Sequence, residues 1–397
     1  MKAKISIGQA KGTFIAPPSK SYAHRLLIAA FLSGDSVIEN VAFSNDIIAT
    51  INSLKSLGAE IDIKDNVVSI KRKELKSEMM DANESGSTLR FMIPIALALN
   101  SELKIKGKEK LFSRGLKVYT DLFYEKGIDY VLRKDTLLAE GRLLSGTYNI
   151  DASSSSQYIT GLLFALPLLD GDSEIFLSNK IESEPYIDIT VDVLKMFNVH
   201  VIRNGNVIKV PGNQRYASKR VRVQGDYSNS SFFEMLNYMD GEVKINGLDP
   251  NSLQGDKAYL ECFPILAKSR AEIDIKNMID LGPVLFAFAS IFNGGKFVNI
   301  SRLRIKESDR VSDTLNILEK FGVKYQLNEN ELEIFKGELH SPKEEIKTFN
   351  DHRLVMMSAI LLTKYGGVVE GIEAANKSFP DFFKKLNELG IEVEIYD

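Results

Sequence analysis

The chain has 397 residues, 44% of them hydrophobic and 26% charged, with 50 Lys and Arg against 53 Asp and Glu for a formal net charge of −3. These are the proportions of a globular protein long enough for two or three cores. The near-neutral balance argues against nucleic acid, whose binders carry a clearly basic face. A single cysteine, Cys262, excludes an internal disulfide framework and fits a reducing compartment, so a cytoplasmic location is expected.

In chain order, "MKAKISIGQAKGTFIA" alternates as a strand and has no signal-peptide core. No apolar run reaches the roughly 18 residues that span a bilayer, so no membrane partner is expected. "PPSKSYAHRLLIAAFLSG" follows, with Lys20, His24 and Arg25 at the mouth of an apolar helix. After the strand "GDSVIENV" comes a helix–stop–strand unit, "INSLKSLGAEIDI". The same order recurs. "ESGSTLRFMIPIALAL" leads to "LKIKGK", then "DLFYEKGIDYVL"; "SSSSQYITGLLFALPLL" leads to "SEIFLS", then "DVLKMFNVHVI".

The second half opens with "DYSNSSFFEMLNYM" and "VKINGL", and a degenerate stop is expected near "PILAKSRAEIDI". "IDLGPVLFAFASIF", "GKFVNIS" and "NILEKFGVKYQL" make the fifth copy; "NDHRLVMMSAILL", "GVVEGI" and "KLNELGIEVEIY" make the sixth. The stop residues are Gly58, Gly127, Asn198, Gly322 and Gly390, the residue types that tolerate a left-handed helix C-cap. Four of the entry helices, the first three and the last, are apolar nearly all round and should be interior. The amphipathic helices should lie outside them. Six copies of roughly 66 residues fit two globular lobes of three better than a solenoid, whose repeats have equivalent faces. The seam is expected near "KRVRVQGD". The lobes would be residues 16–222 and residues 1–15 with 223–397, the first strand crossing back into the second lobe.

The helix entries suit anions. A first helical turn has unpaired N–H groups and the positive end of the dipole. "SKS", "SGST" and "SSSSQ" place Ser and Gly there three times in phase, and Lys20, Arg25 and Arg90 add charge. Any single Ser is ordinarily an N-cap; three in phase, two with cations, shift the reading to anion binding. "ESGST" lacks the Lys and spacing of a Walker loop. Four His and one Cys make a metal site a poor expectation.

The densest charge lies in "RLRIKESDRVSD". A solvated helix face is the bland reading of such a run. Against it, Arg302, Arg304 and Lys306 have strand spacing, and Glu307 and Arg310 follow at i, i+3 on a starting helix. A carboxylate among cations beside a bound phosphate is a candidate proton carrier. On local grounds Asp280 is an N-cap, His24 a partly exposed histidine, and Arg114 and Lys377 surface residues before amphipathic helices. Cys262 reads as a buried small hydrophobe.

Together, "PPSKSYAHR", "SGSTLR", "SRGL", "DASSSSQY", "SEPYIDIT", "GDYSNSSFF", "IDLGP", "RIKESDR", "NDHR" and "KSFPDFF", in this order over Pro17 to Phe383, resemble the 5-enolpyruvylshikimate-3-phosphate synthase family. The resemblance implies a two-lobed α/β fold of six βαβαββ units, three per lobe about a pseudo-threefold axis, with the active site between the lobes. It implies transfer of the enolpyruvyl group of phosphoenolpyruvate to the 5-hydroxyl of shikimate 3-phosphate, with release of phosphate, in aromatic amino-acid biosynthesis. No metal or organic cofactor is implied, and a monomer is expected.

Residue by residue, the resemblance assigns Lys20, Ser21, Arg25, Ser155, Ser156, Gln157, Ser183, Asp280 and Lys306 to shikimate 3-phosphate. It assigns Lys20, Gly86, Arg114, Gln157, Arg310, Arg353 and Lys377 to phosphoenolpyruvate. Asp280, Glu307 and Lys20 are its catalytic residues: Asp280 takes the proton of the 5-hydroxyl, and Glu307 transfers a proton at the methylene carbon. Pro18, Glu84, Gly115 and Glu184 depart from the commoner pattern, at positions that bear on affinity and on glyphosate, which occupies the phosphoenolpyruvate site in this family. The alternatives are the enolpyruvyltransferase acting on UDP-N-acetylglucosamine, and a non-catalytic phosphometabolite-binding relative. The first ordinarily carries an early Lys-Asn pair and a reactive Cys in the N-terminal lobe; here "SKS" and Cys262 stand instead. The second would be expected to lose Asp280 or Glu307.

Overall fold

The computed structural model describes residues 1–179 and 181–397. It divides into two compact units, an N-terminal one of Pro18–Gln224 and a C-terminal one of Met1–Pro17 with Gly225–Asp397. Each has its own hydrophobic core.

The helices come in pairs. In the N-terminal unit α1 (Lys20–Ser33), α3 (Gly86–Asn100) and α6 (Ser156–Ala165) are the inner members, with α2 (Asn45–Ser56), α5 (Lys117–Lys126) and α7 (Glu184–Met196) outside; α4 (Glu109–Phe112) is a single turn. In the C-terminal unit α8 (Tyr227–Tyr238), α10 (Gly282–Ile291) and α12 (His352–Tyr365) are inner, and α9 (Tyr259–Lys268), α11 (Arg310–Glu319) and α13 (Phe382–Glu388) outer. The sequence reason is plain in α1, where Tyr22 through Leu32 is buried without interruption, and in α12, buried from His352 through Thr363. A helix with no polar face finds no stable place at a surface. In the C-terminal unit α8, α10 and α12 each pack on the other two.

One inner helix contradicts its composition. α8 is polar at its start, yet Ser228, Asn229, Ser230 and Ser231 are all buried. Two of the hydroxyls are satisfied close by: Ser230 donates to the Asp226 carbonyl and Ser231 to the Ser228 carbonyl, each at 2.7 Å. Burial of a hydroxyl costs little once it is bonded.

Five four-stranded sheets share one ladder among the described residues: a parallel pair, then two antiparallel pairs. Gly146–Asp151, Ser173–Ser178, Val207–Val210 and Ile202–Asn204 show it within one stretch of chain. In the sheet of Ile346–Lys347, Gly367–Glu370, Lys2–Ile5 and Val393–Tyr396, the third place is filled by the first strand of the molecule, paired on both edges. Lys11–Ile15 lies parallel to Glu242–Asn246 in a sixth, two-stranded sheet. The five stop residues all adopt positive φ, from 62° at Asn198 to 103° at Gly58. The expected sixth stop is instead Ser269, extended after α9.

Candidate active site

In the N-terminal unit three helix starts carry the candidate residues. Lys20 opens α1 and donates to Asp46 Oδ2 at 2.7 Å, a carboxylate in the first turn of α2. Arg25, one turn further on, is buried, and its nitrogens all donate to protein. Nε reaches Thr190 Oγ1 at 2.8 Å, Nη1 the Ser21 carbonyl at 2.8 Å, and Nη2 the Tyr186 carbonyl at 3.0 Å. Its guanidinium also lies 5.1 Å from the Phe91 ring centre. Arg25 thereby ties α1 to the entry of α7, where Ser183 is buried with φ of 58°.

The start of α3 is a cradle. A Cβ on Gly86 would lie 3.1 Å from Arg90 Nη1, 3.3 Å from Gln157 Oε1 and 3.4 Å from Arg114 Nη1. Gln157 is brought there by α6, whose cap Ser155 accepts its N–H at 3.3 Å. Its amide bridges the two helices, accepting from Arg90 at 3.1 Å and donating to Ser87 at 3.2 Å. Glycine keeps side-chain bulk out of that turn, as a positively charged helix start requires to receive an anion, and two guanidinium groups border it. Ser156 is buried in the same first turn of α6.

In the C-terminal unit the focus is Arg310. Only 1% exposed, it bonds three carboxylates: Asp351 through Nε at 2.8 Å, Asp280 through Nη1 at 2.8 Å and Glu307 through Nη2 at 2.7 Å. Asp280 is shared further, with Lys306 Nζ at 3.4 Å and Arg353 Nη2 at 3.6 Å. Burial pushes Asp280 up, but Lys306, Arg310 and Arg353 outweigh it and hold the carboxyl well below its ordinary range. Burial in turn brings Lys306 down to about 8, against the pull of Asp280. Lys377 donates to the Asn350 carbonyl at 2.6 Å, one residue before the Asp351 that caps α12.

Several expectations change. Ser301–Ile305 is a 3-10 turn, not a strand. Arg304 is turned to the cap of α11, 3.1 Å from Asp309 Oδ2, rather than toward Lys306. Glu307 precedes α11, which starts at Arg310, and meets Arg310 from the loop. Asp280 is no simple cap but part of the ion cluster. His24 is buried, its Nδ1 2.7 Å from Thr50 Oγ1, and burial together with Lys20 and Arg25 keeps its pKa well below normal. Lys377 is buried rather than superficial. Cys262 lies against Met278, and burial raises its thiol to about 11, far from a reactive thiolate.

Two departures have local causes. Glu184 is 2.5 Å from Arg203, which neutralises it. Gly115 has φ of 83°, a conformation closed to proline, and its carbonyl accepts from Arg90 and Tyr158. No sequence motif singles out Asp46, Tyr186, Asn229, Asp351 or Ser308, whose hydroxyl donates to Asp351 Oδ2 at 3.2 Å. Asp351 is legible only as the cap of "NDHR", and Asp46 only as an ordinary first-turn acid. Among the described residues no group of three or more His, Cys, Asp or Glu is placed to hold a metal ion, and no helix is long and apolar enough to cross a membrane.

A sequence model of the family described as EPSP synthase (3-phosphoshikimate 1-carboxyvinyltransferase) matches residues 6–263 and 262–386. The chain belongs to the EPSP synthase family. It is 38% identical over 422 residues to the 3-phosphoshikimate 1-carboxyvinyltransferase of Clostridium novyi, covering 98% of this chain and 97% of the relative. The Clostridium kluyveri enzyme of the same name is 38% identical over 420 residues, covering 98% of each. Two structures titled EPSP synthase from Acinetobacter baumannii superpose with TM-scores of 0.82 and 0.81 at 20% and 21% identity; the first covers all of both chains, the second 99% of this one and all of the other. The fold is accordingly the family's two-lobed α/β architecture, with three repeats in each unit.

Proposed function

We propose that this chain transfers the enolpyruvyl group of phosphoenolpyruvate to the 5-hydroxyl of shikimate 3-phosphate and releases inorganic phosphate. The observation that carries the reading is the pairing of Asp280 and Glu307 on one buried guanidinium, with Lys306 and Arg353 beside them. Two carboxylates fixed by a common cation suit a reaction that both takes and gives protons.

In this reading Glu307 delivers a proton to the methylene carbon of phosphoenolpyruvate, cationic character develops at the adjacent carbon, and the 5-hydroxyl attacks it as Asp280 takes the hydroxyl proton. The adduct then returns a proton from the new methyl group to Glu307 and expels its phosphate, which carries off the proton held by Asp280, restoring the double bond. The cations holding Asp280 ionised suit a proton acceptor. Lys20, Gly86, Arg114, Gln157, Arg310, Arg353 and Lys377 receive phosphoenolpyruvate. Lys20, Ser21, Arg25, Ser155, Ser156, Gln157, Ser183, Asp280 and Lys306 receive shikimate 3-phosphate. Lys20 also acts at the reacting atoms. The protein acts as a cytoplasmic monomer on these two small molecules, with neither nucleic acid nor membrane as partner.

The test is phosphate release by purified protein given phosphoenolpyruvate with either shikimate 3-phosphate or UDP-N-acetylglucosamine. Release with the first acceptor is expected. Release with the second alone overturns the proposal.

A further inference from the structure

Asp256 stands behind Asp280 and has no part in the chemistry above. It lies on the 3-10 turn Gly255–Ala258, which packs against α8 and against the turn Ile279–Leu281 that carries Asp280. Its side chain is 2% exposed. Oδ2 accepts from the Ser228 hydroxyl in the first turn of α8. Oδ1 has no hydrogen-bond partner among the described residues. A buried ionised carboxylate ordinarily gathers several donors or a cation of its own; this one has a single hydroxyl.

The charges facing it come from three elements. Asp226 caps α8, Asp280 sits on the neighbouring turn, and Arg353 opens α12. On its own turn Lys257 is directed away, to the Pro250 carbonyl. Arg353 is divided: Nη2 lies 3.6 Å from Asp280 and Nη1 donates to Asn229 Oδ1 at 3.1 Å. Among the described residues Asp226 and Asp280 are thus negative neighbours of Asp256, and the cation that opposes them, Arg353, is shared.

We propose that Asp256 is a positioning residue for the reaction assigned above, a buried carboxyl whose own ionisation sets the basicity of Asp280. When Asp256 gives its proton to solvent, its charge adds to the field at Asp280 and strengthens that base; when it takes the proton back, the base weakens. No substrate bond changes at Asp256. Burial first, then Asp280, push its pKa up to about 7, with Arg353 opposing. The two carboxyls are therefore displaced in opposite directions by their surroundings. The proposal rests on the role given to Asp280.

The test is the pH profile of kcat between about 5.5 and 9, with both substrates saturating, for the full chain and for Asp256→Asn, which keeps the shape and the acceptor for Ser228. Wild type should gain on the order of threefold through a limb near neutrality. Asp256→Asn should stay at the acid plateau while both KM values move less than twofold. Ser228→Ala, which removes the single donor, should move the limb to higher pH by about one unit. An unchanged limb in either variant overturns the proposal.

A second arm needs no turnover. A carboxyl raised in the folded state adds stability below its unfolded value and loses it as pH rises through the folded value. Wild type should lose unfolding midpoint relative to Asp256→Asn between pH 5 and 8; parallel curves overturn the buried proton. Failure of the assigned reaction would show instead as absent phosphate release with the full wild-type chain, and would overturn the kinetic proposal whatever the stability curves do.

Discussion

Three protein carboxylates hold the Arg310 guanidinium, and each has a separable role. Glu307→Gln preserves size and loses the charge. It should leave substrate affinity within a few-fold while kcat falls by on the order of 10²–10⁴, measured by calorimetric titration beside steady-state kinetics. Asp351→Ala removes two of the bonds to a buried cation and the cap of α12. It should destabilise the C-terminal unit by about 3–5 kcal/mol in urea unfolding. Lys306 titrates at about 8, so its cation is present below that pH and lost above it. The KM for shikimate 3-phosphate should therefore climb as pH passes 8 in wild type and stay flat in Lys306→Arg, whose charge persists.

At the scale of elements, the close approach of α3 and α6 positions the cradle. A Cβ on Gly161 would lie 2.5 Å from the Arg90 carbonyl and 2.6 Å from the Tyr119 hydroxyl. Gly161→Ala should thus push the helices apart. It should cost about 1–3 kcal/mol in the N-terminal unit and raise the KM for phosphoenolpyruvate through Arg90 and Gln157. Which helices and stops form was largely legible from local chemistry: α1, α3, α6 and α12 have no polar face, and Gly and Asn mark the left-handed ends. α8 was not legible as an inner helix because Ser230 and Ser231 are satisfied by nearby backbone carbonyls, which composition does not reveal. The Ser301–Ile305 turn misled because Arg-Leu-Arg-Ile-Lys alternates like a strand. There Leu303 is drawn against Gly282, where a Cβ would lie 2.8 Å from its Cδ1, and tertiary packing overrides the local period. Asp46 and Asp256 escaped for a related reason. Their partners, Lys20 and Ser228, lie 26 and 28 residues away in segments with no shared pattern.

For the molecule as a whole, the two units differ in how the chain builds them. The N-terminal unit is continuous, and among the described residues its core runs from Tyr22 to Val223. Expressed alone, residues 18–224 should unfold in a single cooperative transition. The C-terminal unit is assembled from two separated pieces. Removing residues 1–15 deletes a strand paired on both edges and the partner of Glu242–Asn246. Calorimetry of residues 16–397 should then retain the transition of the N-terminal unit and lose that of the other; survival of both would refute this division.

That arrangement also bears on how the protein emerges from the ribosome. Lys2–Ile5 is made long before the strand that closes its second edge, Val393–Tyr396. At the usual pace of translation the opening strands wait on the order of tens of seconds with bare backbone edges, while the unit between them folds. The charges spaced through that stretch, Lys2, Lys4 and Lys11, guard such edges during the delay.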